Sequence, residues 1–122
     1  MKKLNALALS LVLTGAAFVS PLAAAHATMK SSIPAADSTV DVAPKEIALT
    51  FNEKVEESFS SVTVKDAGGK AVATAKVHVD AKDPDTLHLD LPTLSSGTYA
   101  VQWVAVGHDG HRRIGDFKFT VK

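Results

Sequence analysis

The 122-residue chain contains no cysteine. Neither a disulfide nor a lipid-modified cysteine anchor is available, so a small domain of this kind must rely on its apolar core, with whatever help a bound ligand gives. Excess charge is also absent, since 13 Lys and Arg balance 13 Asp and Glu. That balance offers no basic patch or stripe for nucleic acid. A sustained 3.6-residue apolar period is missing after residue 26, which argues against amphipathic helices. No repeat, linker or low-complexity tract marks a second domain.

The one long apolar run stands at the start. "MKK" supplies positive charge, "LNALALSLVLTGAAFV" carries none, and "SPLAAA" ends in small residues suited to signal peptidase. The run is shorter than the roughly 20 residues of a membrane-spanning helix. Residues 1–25 are therefore expected to be a cleaved signal peptide. Residues 26–122 then form a single exported domain, periplasmic, monomeric and without stable membrane insertion. The small-residue rule is met equally by "AHA" before Thr28, so cleavage after Ala27 is the alternative. Only cleavage after Ala25 makes His26 the new terminus. It also removes Lys2 and Lys3, leaving 11 positive and 13 negative side chains.

What the remaining chain does have is period-two alternation. Ile47, Leu49 and Phe51 share one face of "EIALTF", as do Val62 and Val64 in "SVTVKD". Val77 and Val79, then Leu87, Leu89 and Leu91, continue the pattern. Tyr99, Val101 and Trp103 align in "GTYAVQWVAV", and Phe117, Phe119 and Val121 in "GDFKFTV". With a first strand near Met29–Ile33, this predicts about seven strands in an all-β, immunoglobulin-like Greek-key sandwich. A closed barrel is the alternative. If successive strands alternate in direction, the start of the chain, the end of the second strand and the end of the sixth meet at one pole. His26, Glu53, Asp109 and His111 are thereby predicted to be neighbours.

Those four residues form a coherent donor set. A terminal histidine offers an α-amine and an imidazole, His111 a second imidazole, and Asp109 a carboxylate oxygen. Mixed nitrogen and oxygen donors in tetragonal geometry favour Cu(II), and Ni(II) less strongly. Glu53 either adds a weak oxygen or orients a ligand. Gly107 and Gly110 give the loop the backbone freedom to turn both side chains inward. Against this stands ordinary turn chemistry, because Asp-Gly is common in strand connections. His78 and His88 fall on the polar face of their strands and read as exposed and without function. His108 is either a spare ligand or a solvated loop residue, and Arg112 and Arg113 are either solvated or tune the site's charge. Trp103 and Tyr99 read as core.

Over essentially the whole mature length the sequence resembles the CopC family of bacterial periplasmic copper-binding proteins. The likeness runs through "SSIPAADSTV" and "PKEIALTFNEKVEESFSSVTV", and is most specific in "GTYAVQWVAVGHDGHRRIGDFKFTV". The resemblance implies a Greek-key sandwich and a Cu(II) site with His26, Asp109 and His111 as ligands and Glu53 in or near it. Some family members hold Cu(I) at the opposite pole with a methionine-rich segment. Here no methionine follows "DAGGK", and Met29 is the only one after residue 26. Soft thioethers are what Cu(I) prefers, so the sequence speaks for Cu(II) alone.

The expected function is to buffer or transfer Cu(II) in copper homeostasis or resistance, without enzymatic activity. A copper-handling inner-membrane protein is the partner that the resemblance suggests. Two other classes compete with this reading: a copper-dependent oxidative enzyme using the terminal histidine, and a metal-free structural sandwich domain. Zinc competes for the same donors.

Overall fold

The alternating segments become strands, and the apolar member of each pair faces a shared interior. A computed structural model describes residues 29–73 and 75–122. The expected signal peptide, both candidate cleavage points and His26 lie outside the described residues. The strands are β1 (Met29–Ile33), β2 (Thr39–Val40), β3 (Glu46–Phe51), β4 (Ser61–Lys65), β5 (Ala71–Ala73), β6 (His78–Val79), β7 (Thr86–Asp90), β8 (Gly97–Val106) and β9 (Arg112–Val121). A 3-10 turn, Glu57–Phe59, precedes β4.

Two sheets pack face to face, one ordered β1-β3-β7-β6 and the other β2-β9-β8-β4-β5. This is the expected sandwich, with nine strands among the described residues rather than about seven. The two additions are short. β2 is a two-residue edge pairing parallel to β9, and β5 is an alanine-rich return against β4. Neither is long enough to show the alternation by which a strand is recognised in sequence. β9 also starts earlier than the aromatic pattern suggests, because its first residues are arginines.

The core is built from the inward faces of both sheets. Ile47, Leu49, Phe51, Val64, Leu87, Leu89, Val101 and Phe119 are almost fully buried. Phe51 meets Trp103 edge-on across the sandwich, with ring centroids 5.2 Å apart. Edge-to-face contact of this kind adds about 0.5–1.5 kcal/mol beyond area burial. Trp103 lies opposite Gly115 in the β8–β9 register. A Cβ on Gly115 would stand 2.9 Å from the indole nitrogen and overlap the ring carbons. Gly115 is thus the hollow that receives the indole. At the other end of β8, the Tyr99 hydroxyl donates to the Ser95 carbonyl at 2.7 Å. This is a tyrosine-corner arrangement that pins the chain entering the strand.

One sequence expectation fails on the outer face of the four-stranded sheet. His78 is exposed, as expected, but His88 is not. Its side chain is only 15% accessible, with Nε2 2.9 Å from Asp80 Oδ2 and Nδ1 3.3 Å from Glu46 Oε1. The ring also stacks on that of His78 at 5.3 Å. Side chains from β3, β6 and the following turn cover a position that alternation alone marks as solvent-facing.

Candidate metal centre

Register decides which residues gather at the pole. Met29 pairs with Phe51, so the described chain begins beside the end of β3. β8 and β9 pair along their full length, from Gly97–Val121 to Val106–Arg112, and the turn between them occupies residues 107–111. The 52–60 connection is stitched onto that turn. Val55 bridges to Gly107, the His108 amide donates to the Lys54 carbonyl at 2.9 Å, and the Glu56 amide donates to the Val106 carbonyl at 2.8 Å. Glu53, Asp109 and His111, far apart in sequence, are therefore at one end of the sandwich.

The turn has its own reasons to close. The Gly107 amide donates to the His111 carbonyl at 3.0 Å, and the Gly110 amide donates to the Gly107 carbonyl at 2.9 Å. Gly110 has φ of 83°, a left-handed conformation that glycine adopts without steric cost. Gly107 is needed for a different reason. A Cβ there would overlap the Glu53 carboxylate and stand 2.9 Å from Asp109 Oδ1. Two carboxylates therefore converge on one glycine.

Each carboxylate has a partner. Asp109 Oδ1 accepts the His111 amide at 3.0 Å, and Oδ2 lies 2.9 Å from His111 Nδ1. The His111 amide bond is the chief cause of the lowered Asp109 carboxyl pKa, with smaller help from the His111 ring and the Arg113 charge; partial desolvation opposes them. An ionised Asp109 accepts the Nδ1 proton, so Nε2 of the exposed His111 ring keeps its lone pair for a metal. Glu53 is ion-paired with Arg113, whose second nitrogen lies 4.0 Å from Asp109 Oδ2. His108 turns away from this group, with Nδ1 3.1 Å from Glu56 Oε1.

Among the described residues, no three His, Cys, Asp or Glu side chains converge on one metal position. Each is engaged elsewhere: the His111 ring by Asp109, Glu53 by Arg113 and His108 by Glu56. The chemistry of the set still suits a cation, because two ionised carboxylates and an outward imidazole nitrogen border one small region. Glu56 and the Glu53–Arg113 pair went unmarked in the sequence. The signal for the pair was present, since Glu53 continues the inward phase of Ile47, Leu49 and Phe51, and Arg113 that of Phe117 and Gly115.

A two-sheet sandwich with a histidine- and carboxylate-bearing pole is the class that fold and site define together. The chain belongs to the CopC family, whose CopC domain matches residues 29–122. Protein YobA of Escherichia coli strain K12 is 33% identical over 114 residues, covering 93% of this chain and 92% of its own length. Copper resistance protein C of Escherichia coli is 37% identical over 107 residues, covering 82% and 84%. The crystal structure of CopC from Methylosinus trichosporium OB3b matches with a TM-score of 0.74 at 34% identity, over 78% of this chain and 92% of that one. PcoC, a methionine-rich copper resistance protein from Escherichia coli, matches with a TM-score of 0.69 at 36% identity, over 78% and 97%.

Proposed function

We propose that this chain binds one Cu(II) at the pole bearing the 107–111 turn, and buffers or hands on that ion in the periplasm. His26, Asp109 and His111 are the ligands in this reading, and Glu53 sits beside them. The observation that carries it is the meeting of Glu53, Asp109 and His111 at the end where the described chain begins. Two residues lie between His26 and Met29, so three chain steps join them, a span of at most about 11 Å of extended chain. That reach is compatible with a terminal ligand at the same pole.

Nitrogen and oxygen donors favour Cu(II) over Cu(I). Met29, the one thioether after residue 26, packs against the core instead of joining the polar group. Binding takes neutral imidazoles and a deprotonated α-amine, so it releases protons. The work is capture and release, with no bond made or broken in a substrate. A copper-handling inner-membrane protein is the recipient this role calls for, and the carrier itself acts as a monomer.

Two measurements on the secreted protein test the reading. Its intact mass should correspond to a chain starting at His26, and titration should give one Cu(II) per chain. His26→Ala and His111→Ala should abolish that equivalent, whereas His78→Ala should leave it in place. A mature mass starting at Thr28, or equal binding by all three variants, would refute the ligand assignment.

A further inference from the structure

A fixed cation already stands between the carboxylates of the pole. Arg113 donates from Nη1 to Glu53 Oε1 and places Nη2 4.0 Å from Asp109 Oδ2. Glu53 closes the four-stranded sheet's inward row, and Arg113 that of the five-stranded sheet, so their ion pair spans the mouth of the sandwich. Both side chains are about 30% accessible, at 31% and 28%. Gly107 leaves open the space a Cβ would fill, and oxygens of both Glu53 and Asp109 approach it. Like charges brought that close repel unless a cation lies between them. Guanidinium stays protonated at any physiological pH and is shaped to serve two carboxylates at once.

We infer that Arg113 is a built-in counter-ion that occupies the Glu53–Asp109 pair in the copper-free chain and sets which ions the pole accepts. This rests on the copper reading given above. A hard dication that depends on carboxylate oxygens, such as Mn(II), must displace the guanidinium to bind. An ion gripped mainly by imidazole and amine nitrogens can bind while Arg113 still holds Glu53. Arg113 is thus a positioning and specificity-determining residue. It keeps Glu53 out of the coordination sphere and lowers affinity for every cation by its own charge.

The test compares the processed protein with Arg113→Met, Arg113→Lys and the double variant Arg113→Met/Glu53→Gln. Cu(II) affinity is read by competition titration, the coordination set by electron paramagnetic resonance, and Mn(II) binding by the same spectroscopy. Removing one unit charge beside a dication in a largely solvated site is expected to tighten Cu(II) binding on the order of tenfold. Arg113→Met should also change the copper spectrum as a Glu53 oxygen enters, and should gain detectable Mn(II) binding. The added Glu53→Gln should reverse all three changes. Arg113→Lys keeps the charge without the fork and should stay near wild-type affinity. Copper bound with equal affinity and an identical spectrum by wild type and Arg113→Met would overturn the counter-ion role and leave the copper reading intact. No copper bound by any of the proteins, wild type included, would overturn both.

Discussion

Two histidine–carboxylate pairs in this molecule have the same contact distance and different meanings. His88 lies 2.9 Å from Asp80, and His111 lies 2.9 Å from Asp109. His88 is 15% accessible, and its other nitrogen is buried without a hydrogen bond, 3.3 Å from a second carboxylate, Glu46. His111 is 76% accessible and has one nitrogen uncommitted. The first imidazole is enclosed between β3 and the turn after β6, with one hydrogen bond to Asp80, while the second is held in one tautomer and left open. Solvent access to the remaining nitrogen, more than proximity to a carboxylate, separates a structural histidine from a ligand.

The largest expected effect tests that distinction. His111→Ala should weaken Cu(II) binding by at least about a hundredfold, beyond what loss of an orienting partner alone produces, with little change in thermal unfolding. His88→Ala should do the reverse, retaining the copper equivalent and losing about 1–2 kcal/mol of stability through its severed hydrogen bond to Asp80. Matched titrations and melting curves on both variants measure this crossover. Copper loss in His88→Ala would erase the contrast.

Next in size is a core change that should leave the pole unaffected. Gly115→Ala forces a methyl group against the Trp103 indole, an overpacking expected to cost about 1–3 kcal/mol. Copper affinity measured well below the melting transition should be unchanged. Gly107→Ala makes the opposite prediction. Its added Cβ meets the Glu53 carboxylate, so the copper spectrum should alter before stability does.

Acidification separates the two regions by pH. Asp109 is held below its ordinary value of 3.8, chiefly by the His111 amide, and therefore stays ionised while imidazole and amine take up protons. Those groups titrate near ~6.5 and ~7.7–8.0 in reference peptides, so copper affinity should fall steadily from about pH 8 downward. Asp80 is also lowered, first by the Lys82 amide and then by its hydrogen bond to His88. A depressed folded-state pKa gives stability that is fully present above the unfolded value and lost as pH falls through the folded one. The Asp80 contribution should therefore persist to below about pH 4, long after copper has left. Circular dichroism and copper retention followed over one pH series read both curves. The smallest effect is expected from Asp80→Asn, which should erase the acid-limb part of that stability and leave the copper curve in place.

Much of this arrangement is legible in the alternation. The period-two rows at 47–51, 99–103 and 117–121 identify the core, and continuing them one step past Phe51 and two steps before Phe117 places Glu53 and Arg113 at the mouth. Strand direction then accounts for the meeting of the 52–60 connection with the 107–111 turn. β2 and β5 were hidden because two or three residues are too short a run to show alternation, and their order comes from tertiary contacts. His88 was misread because alternation reports which face a side chain takes, and says nothing of the neighbours that cover it. The partner of His108 comes from the tertiary meeting of two loops, so no local pattern announces it.

The location of the copper is the point on which the account depends, and paramagnetic broadening of amide NMR signals tests it most directly. On addition of one equivalent of Cu(II) to the processed protein, the account predicts selective loss of signals from residues 107–113 and 52–54, with those of His78 and His88 preserved. Broadening centred on residues 78–88, or spread evenly over the surface, would contradict it.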